Sequence, residues 1–175
     1  MERWKHSTVN FDGKILRLRT GCVVLDDGIE AYREVVEHPG GACVLPFTGD
    51  GFVLVRQYRI ALAQYVLEAP AGKLESGETP EACAIKELRE ETGYRGLNMM
   101  SLGKVFPSVG FSSEVIHLYL ATGLESVGKQ PEPDERIEIV TLSVEEVRMM
   151  LNKHELHDAK THVVVHRALN HLGLY

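Results

Sequence analysis

The chain has 175 residues, with 25 acidic against 19 basic side chains, a net charge of −6 and an apolar fraction of 44%. That suits one compact globular domain, or one domain with a small appendage, and the acidic balance argues against a duplex nucleic-acid binder, which carries a basic surplus or stripe. No apolar run approaches the roughly 20 residues of a membrane span.

The N-terminal MERWKHSTVNFDGK lacks the apolar centre of a signal peptide. Ile15 to Thr20 alternates at period two, as does part of Gly21 to Asp27, and Ala31 to Glu37 is a third strand-like stretch. These predict a small antiparallel sheet that ends at Gly40-Gly41. Ala42 to Phe47 and Phe52 to Tyr58 then form a hairpin about the turn Thr48-Gly49-Asp50-Gly51. Tyr65 to Ala69 is a short strand. Further strands run from Met99 to Phe106, Glu114 to Ala121 and Arg136 to Thr141. Ser143 caps a helix to about Asn152, and Asp158 caps a terminal one from Ala159 to Leu172. The expected fold class is α+β, a mixed sheet with helices packed against it. Cys22, Cys43 and Cys83 form no CxxC pair and read as reduced, mostly buried thiols of a cytoplasmic protein.

The segment GKLESGETPEACAIKELREETGY, Gly72 to Tyr94, carries the chemistry. Thr79-Pro80 starts a helix and Gly93 stops it, so a helix is predicted over about Pro80 to Thr92. At 100° per residue, Glu87, Glu90 and Glu91 fall within an arc of roughly 100°. Two unit charges about 4 Å apart repel by roughly 4 kcal/mol in a partly screened site. Lys86 and Arg89 point away from that arc, so a hard divalent cation with oxygen ligands is the expected resolution. Ile85 and Leu88 are placed to bind the helix to a core.

The same segment resembles the Nudix box: Gly, five residues, Glu, seven residues, then Arg-Glu-apolar-x-Glu-Glu-x-Gly-apolar. Gly72, Glu78, Glu87, Leu88, Glu90, Glu91, Gly93 and Tyr94 match, and Lys86 stands where the pattern has Arg. The segments REVVEHPGGACVLP, VRQYR, LEAPAGKLESGE, FPSVGFSSEVIHLYLATGL and DAKT are similar to the ADP-ribose and nucleoside diphosphate sugar branch of the Nudix hydrolases. That resemblance implies an α/β/α sandwich around a central mixed sheet. The resemblance also implies a small N-terminal antiparallel β domain (residues 1–40), used in dimerisation, ahead of the Nudix domain (residues 41–175). It implies hydrolysis of a nucleoside diphosphate sugar to a nucleoside monophosphate and a sugar phosphate. The metal ligands it implies are Glu87, Glu91, the Ala71 carbonyl and Glu90, the last directly or through water. Mg²⁺ is the implied ion, with Mn²⁺ able to substitute. Glu78 and Lys86 become supports that keep loop and helix in register. The general base comes from the loop after LYLATGL, where Glu135 is the first candidate and Glu132 the second. Arg33, Arg59 and Glu114 are the implied substrate contacts, with Arg33 contacting substrate from the partner subunit of a homodimer. Val109 replaces a proline of the PSPG loop of ADP-ribose-cleaving relatives, which raises other sugars such as GDP-mannose.

The alternatives are a non-catalytic Nudix ligand sensor and a Nudix hydrolase of other nucleotides, such as dinucleoside polyphosphates. Retention of Glu87, Glu90 and Glu91 disfavours the first, and the extra N-terminal strands disfavour the second. His162 and His166 are spaced i, i+4, but the metalloprotease Glu is missing, so they read as a polar helix face. Trp4 and Phe11 read as anchors of the N-terminal arm or as base-stacking groups.

Overall fold

The computed structural model describes residues 1–129 and 136–175, which divide into two compact units: Met1–Gly40 with Phe106–Val115, and Gly41–Val105 with Ile116–Tyr175. The first unit is an antiparallel meander of β1 (Glu2–Asp12), β2 (Arg17–Leu25) and β3 (Glu30–Glu37). The two alternating stretches on either side of Gly21 are one strand, β2. The N-terminal segment, expected to be an arm, is the strand β1. Its only apolar side chains beyond Met1 are Trp4, Val9 and Phe11, too few for a period-two signal. Phe106–Val115 joins this unit through backbone bonds from Val36 N to Phe111 O (2.7 Å) and from Ser113 N to Val36 O (2.9 Å).

The second unit holds two sheets. One is antiparallel, in the order β10 (Ile137–Ser143), β5 (Gly51–Arg59), β6 (Gln64–Glu68). The other is mixed: β7 (Ala71–Lys73), β4 (Gly41–Pro46), β9 (Ile116–Ser126), β8 (Tyr94–Val105), with β4 and β9 parallel and the other pairs antiparallel. β4 is buried along its whole length, and its side chains alternate between two clusters. Cys43 and Leu45 join Phe52, Leu54 and Leu118 under α2 (Val144–Asn152) and α3 (Ala159–Leu172), through Val147, Val164, Val165 and Leu169. Ala42 and Val44 join Tyr119 and Ala121 under α1 (Pro80–Glu87), through Cys83 and Ala84. A strand apolar on both faces must be covered on both, so the central sheet carries helices on either side, the expected sandwich. Ser143 forms a full capping box with Glu146, and Asp158 caps α3 as read from the sequence. Among the described residues no helix is long and apolar enough to cross a membrane.

The box helix departs from expectation. It is α-helical only to Glu87, and Leu88–Thr92 form a π turn closed by Gly93 at φ +76°. The i→i+5 pattern widens the turn, so rotation per residue falls below the 100° assumed for the carboxylate arc. Leu88 is fully buried, as its position required, but Ile85 is 44% exposed and does not anchor the helix.

Candidate active site

Strand β7 and the box helix meet edge to face because residue 72 has no side chain. A Cβ at Gly72 would lie 1.9 Å from Glu87 Oε1 and 2.2 Å from Glu87 Cδ. One residue earlier, the Ala71 N–H donates to Glu91 Oε2 at 3.1 Å. The Ala71–Gly72 segment is therefore flanked by two carboxylates from successive turns, and both are buried, Glu87 to 9% and Glu91 to 4% exposure. Glu90, on the same π turn, is half-buried.

Lys86 does reach this group, contrary to the angular reading. Its Nζ stands 3.2 Å from Glu75, 3.3 Å from Glu78 and 3.9 Å from Glu87. A long, flexible lysine stem bends across an angle that a helical wheel treats as separate. Burial alone would lower the Lys86 ammonium, and these carboxylates reverse that and hold it above its ordinary range. Glu78 also accepts the Glu75 N–H at 3.0 Å, which chiefly holds its carboxyl below the usual range, Lys86 adding to it. Glu78 and Lys86 thus join the Gly72–Glu78 loop to α1.

Beside the box lies a buried ion network. Glu68, at the end of β6, is 4% exposed. It takes Arg59 side-on, Nε to Oε1 at 2.6 Å and Nη2 to Oε2 at 2.9 Å. Lys160 Nζ donates to the same Oε2 and, at 2.9 Å, to Asp158. Burial pushes the Glu68 carboxyl up, but Arg59 and Lys160 outweigh it and hold it below the usual carboxylate range. The charges of Lys160, Asp158, Glu91 and Glu68 all act on the buried Cys43 thiol, which burial pushes up to about 12. A cavity of about 540 Å³ opens beside the Arg59–Glu68 pair, with Arg59, Glu68, Asp158, Arg56 and Tyr65 in its wall, and the Arg56 guanidinium lies 4.8 Å from the Tyr65 ring centre.

The sequence reading singled out Arg59 but missed Glu68, Lys160 and Thr161. The signal was present. Glu68 ends an apolar strand directly before Ala69-Pro70, and a buried carboxylate is costly unless cations meet it.

Arg33, on β3 of the first unit, is held by Glu2 through Nε at 3.2 Å and Nη2 at 2.8 Å. Glu114 belongs to the same unit, 3.7 Å from His38 Nδ1. The same nitrogen faces the Gly40 N–H at 3.0 Å. Glu132 and Glu135 lie outside the described residues. His162 Nδ1 faces the Leu156 carbonyl at 3.3 Å and His166 pairs with the Tyr175 hydroxyl. Trp4 and Phe11 are partly exposed on β1.

The family model for the NUDIX domain matches residues 37–165. The chain is 38% identical to an ADP-ribose pyrophosphatase of Bacillus subtilis over 154 residues, 86% of this chain and 83% of that protein. It is 37% identical to a methanol dehydrogenase activator of Bacillus methanolicus over 158 residues, 89% of this chain and 85% of that one. A solved structure described as an ADP compounds hydrolase superposes with a TM-score of 0.86 at 16% identity, covering 99% of this chain and 97% of the other.

Proposed function

The chain belongs to the Nudix family, and we propose that it is a divalent-metal-dependent pyrophosphatase of ADP-ribose or a related nucleoside diphosphate sugar. The products are a nucleoside monophosphate and a sugar phosphate. The carrying observation is the pair of buried carboxylates, Glu87 and Glu91, closed around Ala71–Gly72. The Bacillus subtilis relative's name supports the substrate class.

The donor set fits a hard cation. Glu87 and Glu91 offer only oxygen. That suits Mg²⁺, which takes one or two carboxylates and keeps several waters and substrate phosphates. Glu87, Glu91 and the Ala71 carbonyl would hold it, with Glu90 in support. When bound, such an ion neutralises charge on the diphosphate and acidifies the attacking water. Arg59 binds a diphosphate oxygen from the cavity wall. Glu135, or Glu132 in its place, takes the proton of that water. Arg33 and Glu114 contact the nucleoside or sugar, Arg33 from the partner subunit of a homodimer built on residues 1–40. The setting is the cytoplasm.

The Bacillus methanolicus relative favours a second reading, in which the protein raises the activity of a partner dehydrogenase. One panel separates the two. ADP-ribose, ADP-glucose, GDP-mannose and NAD⁺ are incubated with Mg²⁺ and the products identified by chromatography. A methanol dehydrogenase is assayed in parallel with and without the protein. The hydrolase reading expects a nucleoside monophosphate from ADP-ribose or a nucleotide sugar, with Glu91→Gln slower by at least about 100-fold. No release from any of them, with the wild type and Glu91→Gln behaving alike, sinks it.

A further inference from the structure

The start of α3 touches both halves of the proposed site, and its residues do so by separate bonds. Asp158 Oδ2 accepts the Thr161 N–H at 3.0 Å and the Thr161 hydroxyl at 2.5 Å. The same hydroxyl oxygen accepts the Ala69 N–H at 2.7 Å, two residues before Ala71. Lys160 instead runs to Glu68 and Asp158. Its side chain is only 12% exposed and that of Glu68 only 5%, whereas that of Arg59 is 42% exposed.

We propose that Lys160 is a positioning residue for substrate: through Glu68 it fixes the Arg59 guanidinium, with its Nε and Nη2 edge on Glu68 and its Nη1 group left for a diphosphate oxygen in the cavity. This rests on the reading of Arg59 as the diphosphate-binding cation. Glu68 Oε2 is shared by Arg59 Nη2 and Lys160 Nζ, while Oε1 takes Arg59 Nε. Three donors from two cations therefore set the carboxylate plane, and that plane sets the guanidinium. An arginine this exposed otherwise samples several rotamers, and ordering it at the moment of binding weakens affinity. A guanidinium already held by two bonds meets the ligand in its bound orientation. Lys160 thus adds a second positive charge beside the buried Glu68 carboxylate, which has little water around it. Thr161 serves the other half. It tethers the strand end before Ala71, so the two neighbours on one helical turn are expected to affect different constants.

The test uses Lys160→Met, Lys160→Arg, Thr161→Val and Arg59→Ala in the full chain, with ADP-ribose at saturating Mg²⁺. Lys160→Met is expected to raise KM about tenfold with kcat within about threefold, and Lys160→Arg to restore most of the loss. Thr161→Val is expected to leave KM unchanged and to raise the Mg²⁺ concentration needed for half activity. In an Arg59→Ala background, Lys160→Met should add no further rise in KM. A readout independent of turnover is the ¹⁵N-arginine spectrum. The Arg59 Nε–H should exchange slowly in the wild type and in Lys160→Arg, and fast in Lys160→Met. If Lys160→Met does not fold, Lys160→Met with Asp158→Asn removes one charge of each sign and keeps a helix cap. An equal KM rise in the Arg59→Ala background, or an unchanged Nε–H exchange rate in Lys160→Met, overturns the proposal. An unchanged KM in Arg59→Ala itself overturns it together with the reading of Arg59. A wild type inert on every substrate, with the exchange difference still present, removes the hydrolase reading and leaves Lys160 as the residue that orders Arg59.

Discussion

At Gly72 the absence of a side chain decides the site. With a Cβ 1.9 Å from Glu87 Oε1, either the β7 edge or the carboxylate must move. Backbone on one side and a buried side chain on the other leave little room to give. Gly72→Ala is therefore expected to cut kcat by at least about 100-fold, since a displacement near 1 Å costs on that order. KM should change less, because Arg59 is held from another strand. A turnover within threefold of wild type would show that Glu87 can swing clear without loss. Glu135 is the second residue-scale test. As general base it should contribute on the order of 10² to 10⁴-fold, so Glu135→Gln loses that much turnover under saturating Mg²⁺. Near-normal turnover moves the assignment to Glu132.

The π turn shows why an element can be legible in kind and wrong in detail. Thr79, Pro80 and Gly93 mark both ends of the box helix correctly, because caps act locally. The turn between them is set by packing that no single residue announces: Leu88 is fully buried, the Thr92 hydroxyl donates to the Leu88 carbonyl, and the Gly93 N–H donates to Arg89 O at 2.9 Å. Gly93 combines φ +76° with a would-be Cβ only 2.8 Å from Lys129 N. Gly93→Ala should then cost about 1–2 kcal/mol, a fall in Tm of roughly 2–8 °C for a chain of this length. Calorimetry checks it, and an unchanged Tm would mean that the turn relaxes freely. The same contrast runs through the other elements. Ser143 and Asp158 were readable as caps and β4 as an apolar strand, since each rests on near neighbours in sequence. The expected hairpin of β4 with β5 is not formed: the two lie in different sheets, linked by the isolated bridge Phe47–Phe52. β1 and β7 were not readable. The first has scattered apolar residues, and the second is three residues long and exists by pairing with β4. Glu68 and Lys160 stand 92 residues apart, so their pairing left no local pattern to read.

For the whole molecule, a cation held by the box carboxylates should appear as added stability. Glu87 and Glu91 are buried on the second unit, where Lys86 stands 3.9 Å from the first and the Ala71 N–H meets the second. A ligand that binds the folded state alone stabilises it by RT ln(1 + [L]/Kd), about 2.7 kcal/mol at a hundred times Kd. For a protein of this length that corresponds to a rise in Tm of roughly 5–10 °C. Calorimetry with 10 mM MgCl₂ against NaCl of equal ionic strength is the suitable measurement. The single tryptophan, Trp4, lies on β1 and reports the first unit instead. The double variant Glu87→Gln, Glu91→Gln removes the charged ligands and is expected to lose the Mg²⁺-dependent rise. An equal Mg²⁺ shift in wild type and double variant would place the cation elsewhere on the chain.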